Sequence, residues 1–300
     1  MLVVLAGGLG LAMIIFAAVL ATIRPSPIVE ATSRHRRATA FARLLELRTR
    51  LVRSIGGWGA FVVLLVAGYG FTFLIGWIVG LGVTKLQDPV DWPVYRWVEA
   101  HRFVGGWNQL MSTVTQMGDR PVTRGVGVVA AIGLAAIARN RRWIPPLLLL
   151  VAFLAQYYTQ LWLTDLVARP HPPTDDGTYP SGSALRIIAF DGFCAYLLYR
   201  YLGQRKPAWF ASPRRWHLGG ILGGLIAAAA FVEGYTRIDL LRHWITDVFG
   251  GWVVALCLLA TFIYAAGAIL PRPSTDPAMS TNGRSSARMS EGRAIERLGR

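Results

Sequence analysis

The chain has 300 residues, 54% of them apolar and only 16% charged, and carries a formal net charge of +15. Its mean hydropathy is +0.43. The apolar residues run in blocks of about twenty, the length that crosses roughly 30 Å of hydrocarbon as a helix, which excludes a soluble globular domain. The positive charge does not point to nucleic acid. Its Arg residues cluster between the apolar blocks, where they set topology and meet anionic lipid headgroups. Lys stands only at Lys85 and Lys206; with so much Ala and Gly, this is the usage of a GC-rich, bacterial genome. Cys194 and Cys257 both lie inside apolar blocks, where thiols pack rather than pair or bind metal.

In chain order, the first block spans Leu2–Ile23. Its basic residues follow it rather than precede it, the reverse of a secretory signal peptide, so it is expected to be an uncleaved span with its N-terminus outside. Residues 24–54 are rich in Arg, and Leu44, Leu45, Leu47 and Leu51 recur at near-helical spacing. This segment is either a topogenic cytoplasmic linker or an amphipathic helix on the membrane surface.

Further spans are expected at Trp58–Val83, Val122–Ala138, Trp143–Val167, Ala184–Leu202, Leu218–Tyr235 and Leu240–Leu270. Between the first two of these, Thr84–Arg120 mixes Trp92, Tyr95, Trp97 and Trp107 with charged residues, which suits an interfacial helix anchored by aromatics. Residues 271–300 lack apolar periodicity and read as a disordered basic tail. The fold class is therefore all-α: a polytopic membrane helix bundle with six core helices at 55–270 and one extra N-terminal span. Placing the basic segments 24–53, 139–142, 205–215 and the tail in the cytoplasm satisfies the positive-inside rule with seven spans. Segments 84–120, 168–183 and 236–242 then face outward, and these hold nearly every ionisable residue that looks chemical.

Three segments carry that chemistry. In Thr236-Arg237-Ile238-Asp239-Leu240-Leu241-Arg242-His243-Trp244-Ile245-Thr246-Asp247, His243 and Asp247 are four apart and share a face if helical. A carboxylate there orients the imidazole as a nucleophile; it can equally be a structural pair holding two helices together. Arg237 precedes them, where a bend would aim its guanidinium at a phosphate. Pro180-Ser181-Gly182-Ser183 opens a helix, an arrangement that presents backbone N–H groups and a hydroxyl to an anion, or simply caps the helix. Arg169-Pro170-His171-Pro172 ends the preceding span with Arg169 and His171 at the interface. Snorkelling and surface exposure account for that pair as well. Arg186, one turn inside the helix after Ser183, is costly there unless it faces a polar site or pairs with Asp191 or Asp165.

Taken in this order, the three segments resemble the type 2 phosphatidic acid phosphatase family of the vanadium haloperoxidase superfamily, whose pattern is K-x6-R-P, then P-S-G-H, then S-R-x5-H-x3-D. Thr236-Arg237, His243 and Asp247 match the third motif with Thr for Ser. Pro180-Ser181-Gly182 match the second, with Ser183 at the place of the general-acid His. In the first motif, one frame puts His171 at the Arg and Thr164 at the Lys. The other puts Arg169 at the Arg and Trp162 at the Lys. Neither keeps the Lys.

The resemblance covers roughly residues 55–270. It implies a lipid phosphatase or phosphotransferase in which His243 attacks phosphorus and Asp247 orients it. Arg237, Ser181 and Gly182 would bind the phosphoryl oxygens, and Arg169, His171 and Arg186 would supply the missing charge. A polyprenyl phosphate or diphosphate in a bacterial envelope is the expected substrate, met at the extracytoplasmic face of the plasma membrane. Membrane lipids are the expected surroundings and nucleic acid is not an expected partner. No cofactor or metal is implied, since no cluster has ligand spacing. A non-catalytic lipid-phosphate-binding or scaffold protein that keeps the fold is the rival expectation, favoured by Thr164, His171 and Ser183.

Overall fold

A computed structural model describes residues 27–138, 140–174, 178–205 and 214–270. The expected first span at 1–23 and the expected tail at 271–300 lie outside the described residues. The described chain is all-helical. Helix α1 covers Pro27–Lys85, a π turn follows at Gln87–Asp91, then α2 at Trp92–His101 and α3 at Gly106–Val114. A tight turn at Thr115–Gly118 leads into α4, Arg120–Ile137, and α5 is Ile144–Val167. Helix α6 opens as Gly182–Leu185, passes through a π turn at Arg186–Asp191 and continues as Gly192–Arg205. Helices α7, Arg214–Asp239, and α8, Ile245–Ala266, close the bundle.

Six of these helices are long and apolar enough to cross a membrane: α1, α4, α5, α6, α7 and α8. The chain is a multi-pass membrane protein. Val66, Phe71 and Ile78 on α1, Val129 and Ile132 on α4, and Ile221 and Leu225 on α7 point away from the bundle. Lipid accepts such faces, whereas water would penalise them.

Two boundaries differ from expectation. The basic segment and the first core span form one helix, α1, broken only at Gly56, whose φ of 75° lies in the left-handed region that Gly adopts freely. And the expected span 240–270 starts five residues later, at Ile245, because α7 runs on to Asp239 and a turn intervenes.

The bundle has two ends. At the lower end Trp58 stacks on Trp143 with ring centroids 5.3 Å apart, and Arg48 lies 5.5 Å from the Tyr264 ring. At the upper end gather residues 85–120, 168–174, 178–183 and 236–247. Helix α1 is clamped along α8 and α5 by close approach. A Cβ at Gly68 would come 2.6 Å from Thr261 Cγ2, and one at Gly76 2.6 Å from Leu163 Cδ1. Without an exclusion of water between helices to drive them together, such contact is what holds membrane helices.

Candidate active site

The turn between α7 and α8 builds the first part of the upper-end site. The Arg237 carbonyl, in the last turn of α7, accepts the N–H groups of Arg242 at 2.9 Å and His243 at 3.3 Å. Leu241 takes a φ of 59°. These bonds satisfy a helix end that would otherwise leave carbonyls unpaired. Helix α8 then begins after Trp244, and Asp247 sits in its first turn, where Asp247 Oδ2 accepts the Trp244 N–H at 3.3 Å. His243 and Asp247 are thus not two positions on one helix face. His243 stands in the turn and faces the first turn of α8, with Nδ1 3.8 Å from Asp247 Oδ2. That is an electrostatic contact rather than a hydrogen bond, and Nδ1 is buried with no hydrogen-bond partner.

Asp247 is held from its other side by Arg169. Arg169 Nη1 donates to Asp247 Oδ1 at 2.5 Å and to Thr246 Oγ1 at 2.8 Å. Its Nη2 donates to Asp91. Asp91 also accepts the Thr246 N–H at 3.1 Å and the Thr246 hydroxyl at 2.8 Å. The Arg169 side chain is only 1% exposed. Its charge is therefore taken up by two carboxylates, unlike the phosphate-facing cation that the sequence suggested.

Sequence reasoning missed Asp91, because it lies in the aromatic interfacial stretch and belongs to no motif. The one available signal was a carboxylate between Val90 and Trp92, in a stretch otherwise suited to the interface. Packing explains its position. Trp92 and Tyr95 meet Trp244 with ring centroids 5.1 Å and 5.6 Å away, docking α2 on the α7–α8 turn. Trp244 Nε1 in turn donates to the Pro170 carbonyl at 2.8 Å.

The two frames of the first motif separate in space. Thr164 donates to the Tyr179 carbonyl at 3.0 Å and so faces the second motif. Trp162 is half exposed on the outside of α5, among Tyr69, Phe73 and Tyr158. His171 is exposed on the connecting loop, its Nδ1 2.9 Å from the Pro172 carbonyl.

The second motif meets the third through the backbone. The Ser181 N–H donates to the Asp247 carbonyl at 3.2 Å, and the preceding Tyr179 is pinned to α1 by its hydroxyl on the Gly76 carbonyl at 2.7 Å. Gly182 is crowded: a Cβ there would stand 2.1 Å from Gln160 Nε2. The Ser181 and Ser183 hydroxyls are 3.4 Å apart, both buried. Arg186 pairs with neither Asp191 nor Asp165 by hydrogen bond. It donates to the Gly118 carbonyl at 2.6 Å and to Gln160 Oε1 at 3.2 Å.

Arg237 is likewise committed. Its Nε donates to Glu233 Oε1 at 2.7 Å, and its Nη2 to Asp119 Oδ1 at 2.7 Å and the Thr115 carbonyl at 3.1 Å. Glu233 is fully buried, while the Asp119 side chain is 39% exposed. The upper end therefore brings three guanidiniums, four carboxylates and His243 onto elements that touch one another. Among the described residues, no group of three His, Cys, Asp or Glu side chains is placed to hold a metal ion.

A solved structure shares this arrangement of helices. It is the crystal structure of a transmembrane PAP2-type phosphatidylglycerolphosphate phosphatase from Bacillus subtilis, similar with a TM-score of 0.51 and 22% sequence identity over 66% of this chain and 94% of that chain. The chain has the PAP2 transmembrane phosphatase fold. No family model matches the sequence, and no curated protein matches it significantly.

Proposed function

We propose that this chain is a membrane-embedded phosphatase or phosphotransferase acting on a lipid phosphate or diphosphate, through a phosphohistidine formed on His243. The observation that carries the reading is the meeting of distant motifs at Asp247. Its carbonyl takes the Ser181 N–H at 3.2 Å, its carboxylate lies 3.8 Å from His243 Nδ1, and Arg169 holds it from behind. A shared fold alone would not require those side chains to converge. With Nδ1 turned toward a carboxylate, Nε2 is the nitrogen available to attack phosphorus.

In this reading Arg186 and Arg237, with the Ser181 hydroxyl and the Gly182 N–H, stabilise the phosphoryl oxygens as charge builds on them. Asp119 is the partial shield that an incoming phosphate displaces from Arg237. Arg169 acts one step removed, by fixing Asp247. A polyprenyl chain in a bacterial cell envelope fits the composition. The upper end faces outward across the plasma membrane, since Arg48, Arg141 and Arg142 gather at the lower end, as the positive-inside rule requires of the cytoplasmic side.

The test is phosphate release from a panel of lipid mono- and diphosphates by purified protein, with trapping of the acid-labile phosphoenzyme. Release together with a label on His243 is the expected result. A second reading, a non-catalytic lipid-phosphate-binding or scaffold protein, is favoured by one feature: Arg169 and Arg237 are both paired with carboxylates. Lipid binding without release would establish it instead.

A further inference from the structure

Ser183 stands where the resemblance calls for a general-acid His, and a serine hydroxyl alone cannot protonate an alkoxide at neutral pH. The space beside it holds another acid. A Cβ added to Gly118 would come 2.6 Å from Ser183 Cβ and 2.7 Å from Glu233 Oε1, so the two side chains press on the same point of the chain.

Glu233 itself is unusual. It is 0% exposed, yet belongs to a membrane-spanning helix. One oxygen, Oε1, is fully occupied by Arg237 Nε at 2.7 Å and the Thr115 hydroxyl at 3.3 Å. The other, Oε2, is buried with no hydrogen-bond partner. A bare carboxylate oxygen in such a place is costly, and a proton on it removes most of that cost. The charged groups around it do not forbid the proton. Arg237 on α7 is shared with Asp119 at the head of α4, and Arg186 on α6 is turned onto the Gly118 carbonyl.

We propose that Glu233 and Ser183 together form the proton donor of the phosphoryl-transfer step, replacing the absent histidine. This rests on the phosphohistidine reading above. As the His243 Nε2–P bond forms and the bond from phosphorus to the lipid oxygen breaks, the Ser183 hydroxyl gives its proton to the leaving oxygen and takes one from the Glu233 carboxyl group, which rotates to present it. In the second half, water loses a proton along the same path in reverse, its oxygen bonds to phosphorus, and the N–P bond breaks. The placement suits the task. The Ser183 hydroxyl is 3.4 Å from that of Ser181, whose backbone holds Asp247, and Arg237 carries Glu233 on one side and the His243 N–H on the other.

The experiment compares wild type, Glu233→Gln and the double variant Glu233→Gln with Ser183→His, on a lipid monophosphate and the matching diphosphate. A leaving phosphate needs the proton far less than a leaving alkoxide. Glu233→Gln should lower monophosphate turnover by roughly 10² to 10³, the contribution of a positioned acid, and abolish the alkaline limb of its pH–rate profile. Diphosphate turnover should fall less than about tenfold, and Ser183→His in that background should recover at least about tenfold on the monophosphate. Equal losses on both substrates, with an unchanged pH profile and no recovery, would make Glu233 a structural partner of Arg237 and overturn the proposal, while leaving the phosphatase reading intact. No release from either substrate by wild type would overturn that reading, and the proposal with it. If Glu233→Gln does not fold, Ser183→Ala removes the relaying hydroxyl: the same selective loss supports the proposal, and equal turnover to wild type on both substrates overturns it.

Discussion

Arg169 and Asp247 are joined at 2.5 Å in a buried pair whose other arm reaches Asp91. The carboxylate beside His243 is therefore set by a residue that lies almost eighty positions earlier in the chain and is itself held by the interfacial segment. The triad sets one guanidinium against two carboxylates, and the Thr246 N–H and hydroxyl and the Trp244 N–H satisfy further carboxylate oxygens, because a buried charge left unpaired is costly.

Removing the outer member of that triad should be expensive. Asp91→Ala leaves Arg169 with one carboxylate instead of two and strips Thr246 of its acceptor. Loss of about 1–3 kcal/mol of stability is expected, the cost of leaving buried donors on Arg169 and Thr246 without an acceptor. Thermal melting in detergent measures it, and a melt equal to wild type would mean that the pair is not formed in the folded protein. Asp91→Asn, which keeps the shape and one acceptor, should cost clearly less.

His243→Ala should abolish phosphoenzyme formation and reduce turnover by at least about 10⁴, with little change in the melt. The imidazole makes no hydrogen bond through Nδ1, so no hydrogen-bond partner there is orphaned by its removal. Undiminished turnover would remove His243 as the nucleophile. Asp247→Asn should behave differently from a mere orienting mutation. It retains partial turnover but loses its charge contact with Arg169, so its melt should fall while that of His243→Ala does not.

Ser183→His in the otherwise native chain should raise turnover of a lipid monophosphate by no more than about tenfold, because Glu233 and Ser183 already supply a proton there, and that of the diphosphate less. Gly118 has no side chain, and a Cβ there would come 2.6 Å from Ser183 Cβ. Gly118→Ala should therefore cancel the gain, and it should also hurt wild type by pushing Ser183 from Glu233. The ratio of the two rates is the measurement. A ratio raised by about 10² or more would show that wild type lacks an acid at this position and would overturn Glu233 as the donor.

Sidedness can be read directly. Val104, 79% exposed in the loop between α2 and α3, lies at the upper end, and Asn140 lies in the connection between α4 and α5 at the lower end. With Cys194 and Cys257 replaced by Ala, Val104→Cys should react with an impermeant thiol reagent on intact cells, and Asn140→Cys only after permeabilisation. The opposite pattern would put the site in the cytoplasm.

Much of this architecture was written in the order of residues. Spans separated by basic loops follow from hydrophobic length alone, since a helix must satisfy its own backbone in lipid and needs a set number of apolar residues to cross it. The grouping of residues 84–120, 168–174, 178–183 and 236–247 at one end follows from counting spans. The motif spacings singled out Ser181, Gly182, Arg237, His243 and Asp247 before any contact was known. What spacing could not supply was partnership. His243 and Asp247 read as a helical pair because nothing in a sequence shows that the Arg237 carbonyl will take two later N–H groups and end α7. Arg169 read as a cation for phosphate, and only the folded chain placed Asp91 and Asp247 against it. Asp91 and Glu233 belong to no motif, and each acquires its meaning from a neighbour on another element: Arg169 on the loop after α5, Ser183 at the start of α6. Local sequence determines which segments enter the membrane, because hydrocarbon thickness acts on each segment separately. The pairing of buried charges depends on distances between helices, and those are decided by tertiary packing.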